Sequence, residues 1–190
     1  MADIPVLFFD SAKQWEGWLA KHHATETGGV WLRFYKKGTG VTTLTYDEAL
    51  DDALCYGWID GQAKKHDEDS WLQKFTPRRK RSIWSKRNIT HVERLSKAGR
   101  MKPAGLQAIE AAKADGRWQQ AYDSQKDMVI PDDFLKALGK NKKAMAFFET
   151  LNKANRYAIA WRLQTAKKAE TRERRMKKIL EMMANGEKFH

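Results

Sequence analysis

One cysteine in 190 residues cannot close an internal disulfide, so whatever core this chain builds is held by packing. No apolar run approaches the roughly 18–20 residues that span a bilayer. The opening MADIPVLFFDSAKQW has no charged segment ahead of an apolar stretch, so no secretory signal is expected. Nor is there a glycine-rich phosphate loop: GGVWL and GTG lack the pattern and the strand-to-helix context. His22 and His23 are adjacent and cannot share a helix face, and no His, Cys or Asp spacing matches a metal site. We find no internal repeat. These absences argue for a cytoplasmic protein with no cofactor and no bound metal.

What the chain does have is a core and an uneven charge. Hydrophobic residues make up 42%, with eight tryptophans, against a net charge of +12. Residues 1–73 carry 7 basic and 12 acidic side chains, whereas residues 74–102 carry 11 and 1. Residues 103–152 balance, and 153–190 carry 11 against 4. Two basic segments on a balanced body point to an anionic partner, either a small molecule or nucleic acid, or else to a solubilising surface.

Periodicity sets the organisation. Residues 11–23 read as a helix, with Ser11 and Gln14 in capping-box spacing. Residues 30–36 alternate as a strand, and Thr45 with Glu48 opens a second helix through Leu54. Gly57 suits the left-handed position after that helix. Strands follow at 58–64 and 71–76, then helices at 86–98 and 103–115, the latter with Pro103 near its first position. Helices are expected at 131–139, 141–150, 152–168 and 170–184. The expected fold is α+β: a small antiparallel sheet packed with helices, followed by an all-helical C-terminal unit. The expected domains are 1–118 and 131–190, with a connector at 119–130.

Several strings place the chain beside a known family. DEALCYGWIDG, FTPRRKRSIWSKRN and AGRMKPAGL, with Arg156, Ala166-Lys167, Glu170-Thr171-Arg172 and Arg175 in the tail, resemble the YdeI/OmpD-associated, bacteriocin-protection family over nearly the whole length. The resemblance implies a role in resistance to bacteriocins or cationic antimicrobial peptides, and family members have been predicted to be periplasmic. A protein of charge +12 repels cationic peptides, so protection by direct capture is a poor fit and an anionic partner a better one.

Two constellations are candidate sites. If the three strands form one antiparallel sheet, a single face could carry Trp31, Arg33, Tyr35, Trp58, Asp60 and Gln62. Aromatics around an arginine suit a planar anion. The alternative is packing under a helix, with Arg33 and Asp60 as an ion pair. The second is the basic turn: Arg78, Arg79, Lys80 and Arg81, then Ser82, Trp84, Ser85 and Asn88. Ser85 or Asn88 would cap the next helix beside the arginines, a setting for phosphate, while a tryptophan among cations also fits single-stranded nucleic acid. The alternative is a solvated charge run. The expected ligand set is therefore Arg33, Trp58, Asp60, Gln62, Arg78, Arg79, Ser82, Trp84, Ser85 and Asn88.

Catalysis has little to stand on. Cys55 falls at a helix C-terminus, where the dipole disfavours a thiolate, so a buried inert cysteine is expected. Asp60 is the one residue that an enzyme acting on a small anion would use. The tail helix carries a basic face beside Met176, Ile179, Leu180 and Met183, a stripe expected to pack on its own unit.

Overall fold

The computed structural model describes residues 4–190 and resolves two compact units, the first ending at Ala121 and the second spanning Tyr122–His190. In the first, β1 (Val6–Leu7), α1 (Ala12–His22), β2 (Val30–Tyr35), α2 (Tyr46–Cys55), β3 (Trp58–Lys65), β4 (Ser70–Pro77), α3 (Lys86–Lys97) and α4 (Pro103–Ala114) follow in order. The sheet has four strands in the order β1-β2-β4-β3. Its three long strands are antiparallel as expected, but the short β1 adds a parallel edge, so the sheet is mixed. Two residues are too few to show an alternating pattern, which is why β1 escapes a sequence reading.

The register decides which side chains share a face. Val30 sits opposite Phe75, Leu32 opposite Gln73 and Phe34 opposite Trp71, and this side meets the helices. Trp15 of α1 lies 5.8 Å from Phe75, and its indole N–H donates to the Ala49 carbonyl of α2 at 3.1 Å. In β3, Asp60 is paired with Phe75, yet Ala63 is already paired with Gln73. The intervening bulge shifts the alternation by one. Trp58 and Asp60 therefore lie on the core side, while Gln62 and Lys64 lie on the outer side with Trp31, Arg33 and Tyr35. The single six-residue face expected from unbroken alternation does not form. Gln73, 4% exposed, donates its amide to the bulge carbonyls of Gly61 and Gln62 at 2.9 and 3.3 Å, which explains a buried glutamine.

Capping behaves unevenly. Thr45 and Glu48 form the full capping box. Ser11 makes no side-chain cap; Gln14 instead accepts the Asp10 N–H at 3.3 Å. Along α2, every residue from Ala49 to Cys55 is buried, Asp51 and Asp52 included. Those two carboxylates face cations from the basic segment. Arg94 and His91 reach Asp51 at 2.6 and 2.7 Å, and Arg100 reaches Asp52 at 2.6 Å. Arg87 pairs with Asp47 and Lys102 with Glu16. The charge segregation along the sequence is thus partly cancelled in space.

The second unit consists of α5 (Asp132–Leu138), α6 (Lys142–Glu149), α7 (Lys153–Gln164) and α8 (Ala169–Asn185) around Phe134, Leu138, Ile159, Leu163, Ile179 and Met183. The arginines of the tail pattern serve as staples within it. Arg156 donates to the Leu151 and Glu149 carbonyls that end α6, and Arg175 donates to the Arg162 carbonyl. Arg172 forms a two-bond fork with Asp133. Asn155, 1% exposed, accepts the backbone N–H groups of Phe189 and His190 and ties down the C-terminus.

Candidate functional site

The end of α2 and the basic turn meet. Gly57, at φ +73°, turns the chain from helix into strand, and its carbonyl accepts the Arg78 N–H at 2.9 Å. A Cβ on Gly57 would stand 2.8 Å from the Ala104 carbonyl oxygen of α4, so the third element is equally close. The Lys102 N–H donates to the Cys55 carbonyl at 3.1 Å, which fixes the start of α4 against the end of α2.

Between these elements lies a cavity of about 830 Å³, within the size range of small-molecule sites. Tyr56, Gly57 and Trp58 line one side, Arg78, Arg79 and Lys80 another. The third wall is the small-residue face of α4, with Ala104, Ala108 and Ala111. Arg117 completes the cationic set, His23 adjoins it, and among the described residues no aspartate or glutamate lines the cavity.

The cations are held in different ways. Arg78 lies over the Trp84 ring, its guanidinium carbon 3.6 Å from the centroid, and donates to the Ile83 carbonyl. Arg117 is 7% exposed; its Nε donates to both Asp115 oxygens at 2.7 and 2.8 Å, and a terminal nitrogen donates to the Ser82 carbonyl at 2.8 Å. Arg79 and Lys80 are exposed, their side chains free to adapt. The turn beneath them is closed by paired bonds between Arg79 and Ser82, backbone to hydroxyl at 3.0 Å and backbone to backbone at 2.9 Å. The His23 Nδ1 sits 2.8 Å from the Leu19 carbonyl, which requires a proton on that nitrogen.

Of the expected ligand residues, the structure brings Trp58, Arg78 and Arg79 to the cavity. Trp58 is 1% exposed, packs edge-on to Trp15 and Trp18, and donates its indole N–H to the His23 carbonyl at 3.1 Å. It forms the floor of the cavity and offers no open ring face. Trp84 is also 1% exposed and serves as the base on which Arg78 rests. Ser82 closes the turn, and Ser85 caps α3 by accepting the Asn88 N–H at 3.1 Å. Asn88 is buried in the helix that Ser85 starts. Arg33 and Gln62 lie on the outer sheet face, and Asp60 accepts the Tyr46 hydroxyl at 2.8 Å. The Arg33–Asp60 pair of the alternative reading does not form; Arg33 pairs with Asp67 at 2.7 Å, because the bulge in β3 puts Asp60 on the opposite side.

Sequence reasoning missed Arg117, His23 and the alanine wall. Ala104, Ala108 and Ala111 do recur at i, i+4 and i+7, a small-residue face that a closer look at α4 would single out.

Cys55, 2% exposed, has its thiol pushed up to about 11 by burial, and it does not line the cavity. Among the described residues no group of three or more His, Cys, Asp or Glu could hold a metal ion, and no helix is long and apolar enough to cross a membrane.

Comparison with known families divides the chain much as the fold does. Residues 7–108 match a family model described only as a domain of unknown function (DUF8412), which spans more than half the chain and contains most of the cavity. Residues 127–186 match the model described as Bacteriocin-protection, YdeI or OmpD-Associated. The chain therefore belongs to the DUF8412 family, with a YdeI/OmpD-associated (OmdA) domain at its C-terminal end. No curated protein and no solved structure matches the chain.

Proposed function

We propose that this protein is a binding protein whose N-terminal unit takes a compact, multiply charged anion in the cavity between α2, the basic turn and α4. The supporting observation is the composition of the lining: Arg78, Arg79, Lys80 and Arg117 around about 830 Å³, with no carboxylate among them. Guanidinium groups held by stacking and by hydrogen bonds are preorganised for oxygen-rich anions, so little side-chain entropy is lost on binding. Arg79 and Lys80 add adaptable charge at the rim. The buried Trp58 and Trp84 argue against a ligand held by base stacking at this site and in favour of one recognised by charge. In the bacteriocin-protection setting that the C-terminal domain suggests, the protein acts through this anion and not by sequestering a cationic peptide.

The test is calorimetric titration with inorganic pyrophosphate at about 50 and 200 mM salt. Saturable binding is expected, and Arg79→Ala combined with Lys80→Ala should weaken it at least tenfold, since each hydrogen bond to a charged group contributes about 1.5–3 kcal/mol before screening. Both side chains are exposed, so the fold should be unaffected. Unchanged affinity in the double variant, or no heat with pyrophosphate at the lower salt, overturns the assignment.

A further inference from the structure

The outer face of the sheet carries a second and separate arrangement. Val6 is paired with Trp31, Trp31 with Lys74, and Arg33 and Lys64 with Leu72, so these side chains share the side opposite the helices. Phe8 falls on the same side, two residues beyond Val6, and meets Tyr35 edge-on at 5.5 Å. Val6, Phe8, Trp31 and Tyr35 stand outside the buried core of the unit, whereas Leu72, paired with Arg33 and Lys64, is itself buried at 2% exposed. Val6 is 50% and Phe8 45% exposed, and both stand among the few large hydrophobic residues that remain open to solvent. Exposed apolar side chains at the edge of such a face mark an interaction surface.

Its charge selects the partner. Lys64 Nζ lies 4.3 Å from the Trp31 centroid, the Arg33 guanidinium lies 4.5 Å from the Tyr35 centroid, and Lys74 stands beside Trp31. The carboxylate touching this set, Asp67, is engaged by Arg33 and by the Ser70 hydroxyl, each at 2.7 Å. A second copy of the face would oppose lysine to lysine, so self-association is disfavoured. A polyanion with planar groups satisfies both features at once: bases stack on the rings while the flexible lysines turn to phosphates. We infer that the outer sheet face, through Phe8, Trp31, Tyr35, Arg33, Lys64 and Lys74, is a binding platform for single-stranded nucleic acid. It is distinct from the anion cavity, since none of these residues lines that cavity.

The experiment is fluorescence anisotropy of the full chain with a labelled oligothymidylate of about 12 nucleotides, a length within the usual site sizes, over about 50–200 mM salt. Binding should weaken steeply with salt. Phe8→Ala should lower affinity roughly fivefold or more, the loss of one stacked base. Lys64→Glu with Lys74→Glu should reduce the slope of log K against log salt by about 1.4, or about 0.7 per phosphate contact. Arg79→Ala with Lys80→Ala should leave oligonucleotide affinity within about twofold, which separates this site from the cavity. No binding at the lowest salt overturns the proposal, as does binding lost in the cavity variant and kept in the sheet variants. Dimerisation by sedimentation that Phe8→Ala abolishes would also overturn it, in favour of a second copy of the chain.

Discussion

Gly105 sits in the first turn of α4, and replacing it with alanine sets two effects of opposite sign against each other. Helix propensity alone favours the alanine by up to about 1 kcal/mol. Packing opposes it. A Cβ at position 105 would fall 2.2 Å from the Cys55 carbonyl oxygen, 2.8 Å from its carbon and 2.7 Å from the Met101 methyl. The methyl is the end of a flexible chain and can move. The carbonyl cannot, because it accepts the Lys102 N–H and closes the end of α2. Relief therefore requires α4 to shift by about 1 Å, and overpacking of this kind costs about 1–3 kcal/mol. We predict that Gly105→Ala destabilises the N-terminal unit by about 1–2 kcal/mol, read by urea denaturation followed through the fluorescence of buried Trp15, Trp58 and Trp84. Pro103, Ala104, Gln107 and Ala108 ride on the same helix, so the variant should also bind pyrophosphate more weakly. A variant more stable than the parent, by the amount propensity alone predicts, would refute the close approach of α2 and α4.

Three further outcomes are expected. Burial raises Asp52 from 3.8 to about 6 against the pull of Arg100, so its ionisation opposes folding above pH 6 and the cost disappears as the pH falls below about 4. Asp52→Asn should accordingly gain on the parent by up to about 3 kcal/mol between pH 4 and 7.5 in urea melts, and a difference that is flat with pH contradicts this. Because the Cys55 thiol is buried and raised to about 11, a disulfide reagent at pH 8 should label the chain only on unfolding; labelling of native protein at the rate of a free thiol would rule the packing out. Ser85→Ala should cost about 1 kcal/mol of stability, whereas Ser11→Ala, which removes no cap bond, should stay within a few tenths; equal losses would contradict the capping assignment.

Elements with strong local signals were legible in the sequence. The Thr45–Glu48 box, the left-handed Gly57, Pro103 at a helix start and the alternation of residues 30–35 each rest on two or three neighbouring residues, and each stands where the spacing put it. The cavity was half legible: Trp58 and the basic turn are both candidate site residues by sequence, but nothing local shows that Gly57 and Arg78 are hydrogen-bonded neighbours. Long-range register was not legible. A bulge between Asp60 and Ala63 has no signature beyond Gly61, yet it moves Trp58 and Asp60 to the core side and leaves Arg33 to pair with Asp67. Buried charge was equally hidden. Asp51 and Asp52 fall in the second turn of α2, beyond the acidic first turn of Asp47 and Glu48, and only the fold turns them toward Arg94 and Arg100.

Whether the cavity beneath Arg79 and Lys80 holds an anion can be seen by diffraction from crystals soaked in selenate, an anomalous scatterer with the shape and charge of sulfate. An anomalous peak is expected within hydrogen-bonding distance of the Arg78, Arg79, Lys80 or Arg117 side chains, lost in crystals of the Arg79→Ala, Lys80→Ala variant. Selenate bound at other surface cations with the cavity empty would contradict it.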